Sequence, residues 1–205
     1  MALEALYHSG GGDDFIWGMF ENDSKKISGL LAVYAFFIGA RRLSSEDFYD
    51  TFFKTGIYEK VAKHDRYAFK SAFLGNETEM EYGYYYNSRN ARKYPEESLP
   101  ELSDAVRHKI VRYFMYEIKG HDHINLVCQM VSPDDTEILD LLAGRLSSEL
   151  TKNSYSYSNY LIIKLLGETR HKNFKKLYGL FREKSHYTLV SAAKLIELDI
   201  LERDF

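Results

Sequence analysis

From Ser103 to the C-terminus, apolar residues recur every three or four positions almost without a break, and this period constrains the fold more than any other feature of the chain. Val106, Ile110, Tyr113, Phe114 and Ile118 fall on one face of a helix that the spacing carries to Gly120. The same reasoning predicts helices over Ile124–Val131, Thr136–Leu150, Ser158–Glu168, Asn173–Glu183 and Thr188–Leu201. Pro133-Asp134-Asp135 opens the helix at Thr136, because proline and acids suit a first helical turn.

Residues up to about 75 also read as helical. Asp13 or Asp14 caps a helix whose apolar residues begin at Phe15, Ile16 and Trp17, after the Gly10-Gly11-Gly12 break. Asn22-Asp23-Ser24 precedes a helix over Lys25–Arg42. Ser44-Ser45-Glu46-Asp47 then places acids in the first turn of Ser45–Lys54, where Phe48, Phe52 and Phe53 form an aromatic face. One more turn follows Gly56, over Ile57–Val61. Between residues 76 and 100 the pattern breaks. Glu77, Glu79 and Glu81 lead into Tyr82, Tyr84, Tyr85 and Tyr86, and two of the three prolines, Pro95 and Pro100, close the stretch. Partial alternation there fits a hairpin or a loop. The expected organisation is all-α: an N-terminal helical subdomain (1–75), a Tyr-rich loop or hairpin (76–100) and a C-terminal helical stack (101–205).

Composition narrows the function classes. A 205-residue chain that is 45% hydrophobic can bury a core unaided and is not intrinsically disordered. Its net charge of −3 gives no global electrostatic case for nucleic-acid binding. A single cysteine, Cys128, excludes a disulfide within the chain and a cysteine zinc site. The first residues carry an acid and no Lys or Arg, unlike a secretory signal. The longest apolar stretch, Gly29–Ala40, falls short of the roughly 20 residues that span a bilayer. A cytoplasmic protein is expected.

The second half is weakly self-similar. Ile124, Leu126, Val127 and Met130 superpose on Tyr160, Ile162, Ile163 and Leu166 at an offset of 36, which also carries Ile138 onto Phe174 and Leu141 onto Leu177. A third copy of the first helix lies near Leu189–Leu195, offset by 30. The run from Leu161 to Arg170, the segment Phe174–Phe181 and the segment Val190–Ile196, separated by short turns, resemble HEAT-type helical repeats over residues 121–205. The spacing is shorter than the ~40–47 residues usual for that family, and only Gly167 matches its helix-end glycine. The resemblance implies a stack with an elongated surface for macromolecules.

No catalytic motif emerges, and no cofactor or metal site is expected. His121-Asp122-His123 would need further ligands from elsewhere and reads as a polar turn, with Asp122 capping the next helix. Arg182…His186, Arg107-His108 and Arg170-His171 resemble the Arg/His pairing of helical ribonucleases of the HEPN group but miss its spacing of four to six intervening residues. Gly10-Gly11-Gly12 runs into Asp13-Asp14, which repels rather than cradles a phosphate. Cys128 sits on an apolar pattern and reads as a core thiol.

Three surface features remain. Lys164, Arg170, Lys172, Lys175, Lys176, Arg182 and Lys184 face only Glu168 and Glu183 nearby in sequence, a basic segment suited to nucleic-acid phosphates or to an acidic protein. Tyrosine is in excess, at 17 residues, with clusters at Tyr82–Tyr86 and at Tyr155, Tyr157 and Tyr160. These rings serve a recognition surface or close over the ends of the stack. The acids Glu77, Glu79, Glu81, Asp134, Asp135, Glu137 and Asp140 would complement a basic partner. The expectation is a non-enzymatic protein-binding module, by analogy of class an immunity protein that occludes a toxin domain through Tyr82, Tyr84, Tyr85, Tyr86, Tyr155 and Tyr157 and these acids. The alternative is a nucleic-acid-associated protein, a degenerate nuclease or repair protein, using Arg170, Lys172, Lys175, Lys176, Arg182 and Lys184.

Overall fold

A computed structural model describes residues 2–9, 11–22, 26–66, 68–73, 102–117, 121–152, 156–184 and 192–205. The Tyr-rich stretch, with Glu77, Glu79, Glu81, Tyr82, Tyr84, Tyr85 and Tyr86, lies outside the described residues, as does Tyr155. The architecture is all-α, as the periodicity predicts. The elements are α1 (Ala2–His8), α2 (Asp13–Asn22), α3 (Gly29–Arg42), α4 (Ser45–Phe52), α5 (Ile57–His64), α6 (Ala68–Phe73), α7 (Asp104–Tyr116), α8 (His121–Met130), α9 (Thr136–Thr151), α10 (Tyr157–Glu168), α11 (Phe174–Lys184) and α12 (Ala192–Asp204). Among the described residues no helix is long and apolar enough to cross a membrane. The chain divides into two compact units, residues 1–110 and 111–205, with the division inside α7.

In the first unit, α3 is the central element. It is apolar on every side and buried at each position from Leu31 to Ala40, which a helix without a polar face requires. α2, α4, α5 and α6 pack around it. The helix starts at Gly29 rather than Lys25 because Ser28 is the residue that caps it, accepting from the Leu31 amide at 3.2 Å. At its other end Arg41 pairs with Asp13 at 2.8 Å and Arg42 with Asp14 at 2.7 Å. Cations at the C-terminus of α3 thus meet acids at the N-terminus of α2, so both helix dipoles are complemented. The aromatic face predicted for α4 closes on α3: Phe36 lies 5.0 Å from Phe48 and 5.3 Å from Phe52, ring centre to ring centre. Gly39 admits this contact, since a Cβ there would sit 2.6 Å from Phe52 Cε2. The first turns of α7 belong to this unit. The Ser103 amide donates to Ser45 Oγ at 3.1 Å, and Lys109 pairs with Glu46 at 2.6 Å.

In the second unit, α10 packs against α8, α9, α11 and α12, while α9 also packs on α11. The core is largely aliphatic. Ile138, Leu139, Leu142, Leu146 and Leu150 of α9 meet Ile162, Ile163, Leu165 and Leu166 of α10 as buried residues. Gly167 stands inside α10, one residue before its end, and its role is close approach: a Cβ there would meet Phe174 Cε2 at 2.9 Å and Leu201 Cδ1 at 3.2 Å. The left-handed residue that ends the helix is Arg170, at φ 51°. The His171 amide reaches back to the Leu166 carbonyl at 2.8 Å and the Arg170 amide to Gly167 at 3.0 Å, the paired bonds of a Schellman motif. α8 starts at His121, so Asp122 lies within its first turn instead of capping it. α12 starts at Ala192 and runs to Asp204, past the expected Leu201.

Candidate functional site

The first unit carries an open cleft of about 520 Å³ formed where α2 ends and α4 passes the start of α5. Phe20 and Ile57, both buried, are its apolar lining, and Glu21, Asp47, Asp50, Thr51 and Thr55 are its polar one. Each acid is held in place locally. Glu21 accepts from Trp17 Nε1 at 2.7 Å, Asp47 accepts from the Ser44 hydroxyl at 2.6 Å, and Lys54 reaches Asp50 at 3.1 Å. Asp47 and Asp50 lie three residues apart on α4, on the side away from Phe48 and Phe52, so burying the aromatic face turns the acids outward. Three carboxylates over an apolar floor, with one ammonium at the rim, suit a basic side chain whose aliphatic stem contacts the floor. Sequence reasoning assigned Asp47 only to the first turn of a helix. The signal for more was the polar stripe Asp47, Asp50 and Lys54 beside the aromatic one.

In the second unit the basic segment is largely neutralised by acids from other helices. Lys164 pairs with Glu197 of α12 at 2.6 Å, Lys172 with Asp140 of α9 at 3.0 Å, and Arg182 with Asp199 of α12 at 3.1 Å. Arg170, Lys175 and Lys176 remain as exposed cations, with Lys175 lying 5.4 Å from the Phe205 ring. The Lys184 side chain lies outside the description. A count over neighbouring residues in sequence could not see these pairings, because Asp140, Glu197 and Asp199 arrive from far along the chain.

Most acids of the stretch before and within α9 are also engaged by partners. Asp135 is the N-cap of α9 and accepts from the Ile138 amide at 3.4 Å. Glu137 takes both arms of Arg112, at 2.7 and 3.1 Å, and the Tyr116 hydroxyl at 2.9 Å. Lys172 and His171 hold the Asp140 carboxyl below its usual range by hydrogen bonding to it. Asp134 is exposed.

Tyr157 opens α10 and stacks on Tyr160, with ring centres 5.7 Å apart. Above the two rings sits the Lys194 ammonium, 4.6 and 5.0 Å from their centres and 3.3 Å from the Tyr157 hydroxyl. Lys194 is only 8% exposed. Its neighbour Glu197 is held below the usual carboxylate range: burial pushes it up, but hydrogen bonds from Lys164 and Tyr160 and the charges of Lys164 and Lys194 outweigh that. Lys194 had no sequence signal, since a single lysine in an apolar helix reads as solvent-facing.

His171 and Cys128 are bound into the fold. His171 Nδ1 accepts from the Asn173 amide at 3.3 Å, which leaves Nε2 to donate to Asp140 at 3.1 Å. Both ring nitrogens therefore brace the turn between α10 and α11. Burial pushes the Cys128 thiol up to about 12, so it stays protonated at neutral pH. Among the described residues no group of three or more His, Cys, Asp or Glu is placed to hold a metal ion. Comparison with known protein families, curated proteins and solved structures finds no match to this chain.

Proposed function

We propose that the chain is a cytoplasmic, non-enzymatic protein-binding module of the immunity or inhibitor kind, which covers a basic face of its partner. The observation that carries this reading is the open cleft of the first unit, where Glu21, Asp47 and Asp50 surround Phe20 and Ile57. Surfaces of this kind steer a basic partner and fix its register. The HEAT-like reading of residues 121–205 rests on the self-similarity of the sequence at an offset of 36. Tyr82, Tyr84, Tyr85 and Tyr86, together with Glu77, Glu79 and Glu81, extend the proposed contact surface by composition.

The test is titration calorimetry of the full chain against the protein encoded in the neighbouring reading frame, with Asp47→Lys/Asp50→Lys as the comparison. The wild type should bind, and the double variant, its helical content checked by circular dichroism, should bind at least ~10-fold more weakly, from the like-charge cost of facing a basic surface. Equal affinity of the two chains removes the cleft from the function. Retention on DNA or RNA at physiological salt, lost in an Arg170→Glu/Lys175→Glu/Lys176→Glu variant, would replace the protein-binding reading with the nucleic-acid one.

A further inference from the structure

The acids of the cleft in the first unit come from two helices. Glu21 stands in the last turn of α2, and Asp47 and Asp50 stand on α4, with buried Phe20 and Ile57 as the apolar floor. Each carboxylate engages one oxygen locally: Glu21 Oε1 accepts from Trp17, Asp47 Oδ2 from Ser44 and Asp50 Oδ2 from Lys54. The second oxygen of each takes no hydrogen bond among the described residues. Two cations stand near these acids. Lys109 of α7 pairs with Glu46 at 2.6 Å, with Asp50 as a weaker charge in its field. Lys54 reaches Asp50 at 3.1 Å, and the two side chains are 68% and 55% exposed. An exposed pair of this kind contributes little stability and yields readily to a better partner.

We propose that the cleft receives an arginine side chain of the partner, whose guanidinium is shared between Glu21 and the α4 acids and takes Asp50 over from Lys54. This rests on the protein-binding reading above and names the group that is bound. Carboxylates on two helices call for a ligand that donates in several directions at once. A guanidinium does so, with five N–H groups in a planar fork, whereas an ammonium is a compact point charge that holds its water more tightly. The cleft already has an ammonium at Asp50, so a lysine would only replace like with like. The floor adds to the preference, since Ile57 suits the aliphatic stem and the Phe20 ring suits a weakly hydrated guanidinium. At about 520 Å³ the cleft falls within the roughly 300–1,000 Å³ of small-ligand sites. Its acids are not placed to hold a metal ion. Lys54 then sets a threshold, keeping Asp50 neutralised until a stronger donor arrives.

Amide NMR of the isotope-labelled full chain, titrated with N-acetyl-arginine methylamide and separately with N-acetyl-lysine methylamide, tests this. The arginine probe should shift the amides of Glu21, Asp47, Asp50, Thr51 and Thr55 saturably, and the lysine probe should bind at least ~5-fold more weakly. Lys54→Met should bind the arginine probe ~2–5-fold more tightly, the fold-change that an exposed ion pair is worth. Asp47→Asn/Asp50→Asn should lose the response while amides outside the cleft keep their positions. No saturable shift, equal response to the two probes, or unchanged affinity in Lys54→Met overturns the proposal. Should either variant fail to fold, the comparison of the two probes on the wild type decides alone. The probes need no partner, so this inference and the reading it rests on fail separately. Silence of the arginine probe while the neighbouring protein binds removes the arginine site alone, whereas saturable arginine binding without binding of that protein keeps the site and removes that partner.

Discussion

In the first unit a single helix, α3, is buried over ten consecutive residues and ringed by phenylalanines from α4 and α6, with Phe36 lying between 5.0 and 6.2 Å from Phe48, Phe52 and Phe73. In the second, the core is mainly aliphatic, with Phe114, Phe174 and Phe181 among its leucines and isoleucines, and the joints between helices carry polar fastenings: Arg112 and Tyr116 on Glu137, Tyr160 and Lys164 on Glu197, Tyr178 and Arg182 on Asp199. A central helix gathers its neighbours by non-directional burial, and the rings need only fill space. In the second unit α10 likewise touches four neighbours, but directional bonds at the joints add to the burial and fix where each helix sits along its seam. The tyrosine excess belongs in part to this second means of assembly, since Tyr116, Tyr160 and Tyr178 each spend their hydroxyl on a carboxylate of another helix.

The largest expected effect comes from breaking the aromatic centre. Phe36→Ala removes a fully buried ring from the middle of the first unit and should cost ~3–5 kcal/mol in chemical denaturation. Hydrogen–deuterium exchange measured in parallel locates that cost. If α3 and α5 lose protection while α9 and α10 keep it, the two units are separate cooperative blocks; an equal loss in both makes them one.

Next come the two glycines at which each unit admits a neighbouring ring. Gly39→Ala and Gly167→Ala should each cost ~1–3 kcal/mol by overpacking. The first should be the worse. Its added methyl meets Phe52 at 2.6 Å and Trp17 at 3.2 Å inside a cluster of rings, whereas the second meets Phe174 at 2.9 Å and the movable end of Leu201 at 3.2 Å. Reversal of that order in thermal melts would mean the aromatic centre is the more yielding of the two cores.

A smaller effect is expected from the fastenings. Tyr178→Phe keeps the buried ring but withdraws its hydroxyl from Asp199, and should cost ~1–2 kcal/mol. The cost should shrink in an Asp199→Ala background, and a loss of equal size there would assign the residue to packing alone.

How much of this was legible in the sequence follows from the same contrast. Apolar period and capping residues act within a few positions, so α4, α9, α10 and α11 stand within one or two residues of where Phe48, Pro133, Ile162 and Leu177 put them. The first helix, Ala2–His8, has no capping signal, and only the burial of Tyr7 beneath Tyr34 and Arg41 explains its place. The basic segment was legible as a run of charges and illegible as a surface, because Asp140, Glu197 and Asp199 lie tens of residues from the cations they neutralise. The cleft escaped for a like reason: Glu21 and Asp47 meet only once α2 and α4 have both docked on α3.

Arg170 gives the smallest effect and the opposite sign. It is the one described residue other than glycine with a positive φ, at 51°, and it occupies the C′ position that glycine fills in most Schellman motifs. An L side chain there crowds its own carbonyl at a cost of ~1–2 kcal/mol, part of which glycine would recover and part of which its freer unfolded chain would cancel. Arg170→Gly should therefore stabilise the second unit by ~0.5–1 kcal/mol, read as a higher denaturation midpoint at unchanged slope. The same substitution removes one of the three exposed cations, Arg170, Lys175 and Lys176, that the described residues of the basic segment leave after the ion pairs to Asp140, Glu197 and Asp199 are made. If the chain gains stability and loses retention on nucleic acid together, the strain at Arg170 has been kept for a phosphate contact; a gain in stability with nothing lost makes it an unselected feature of the turn.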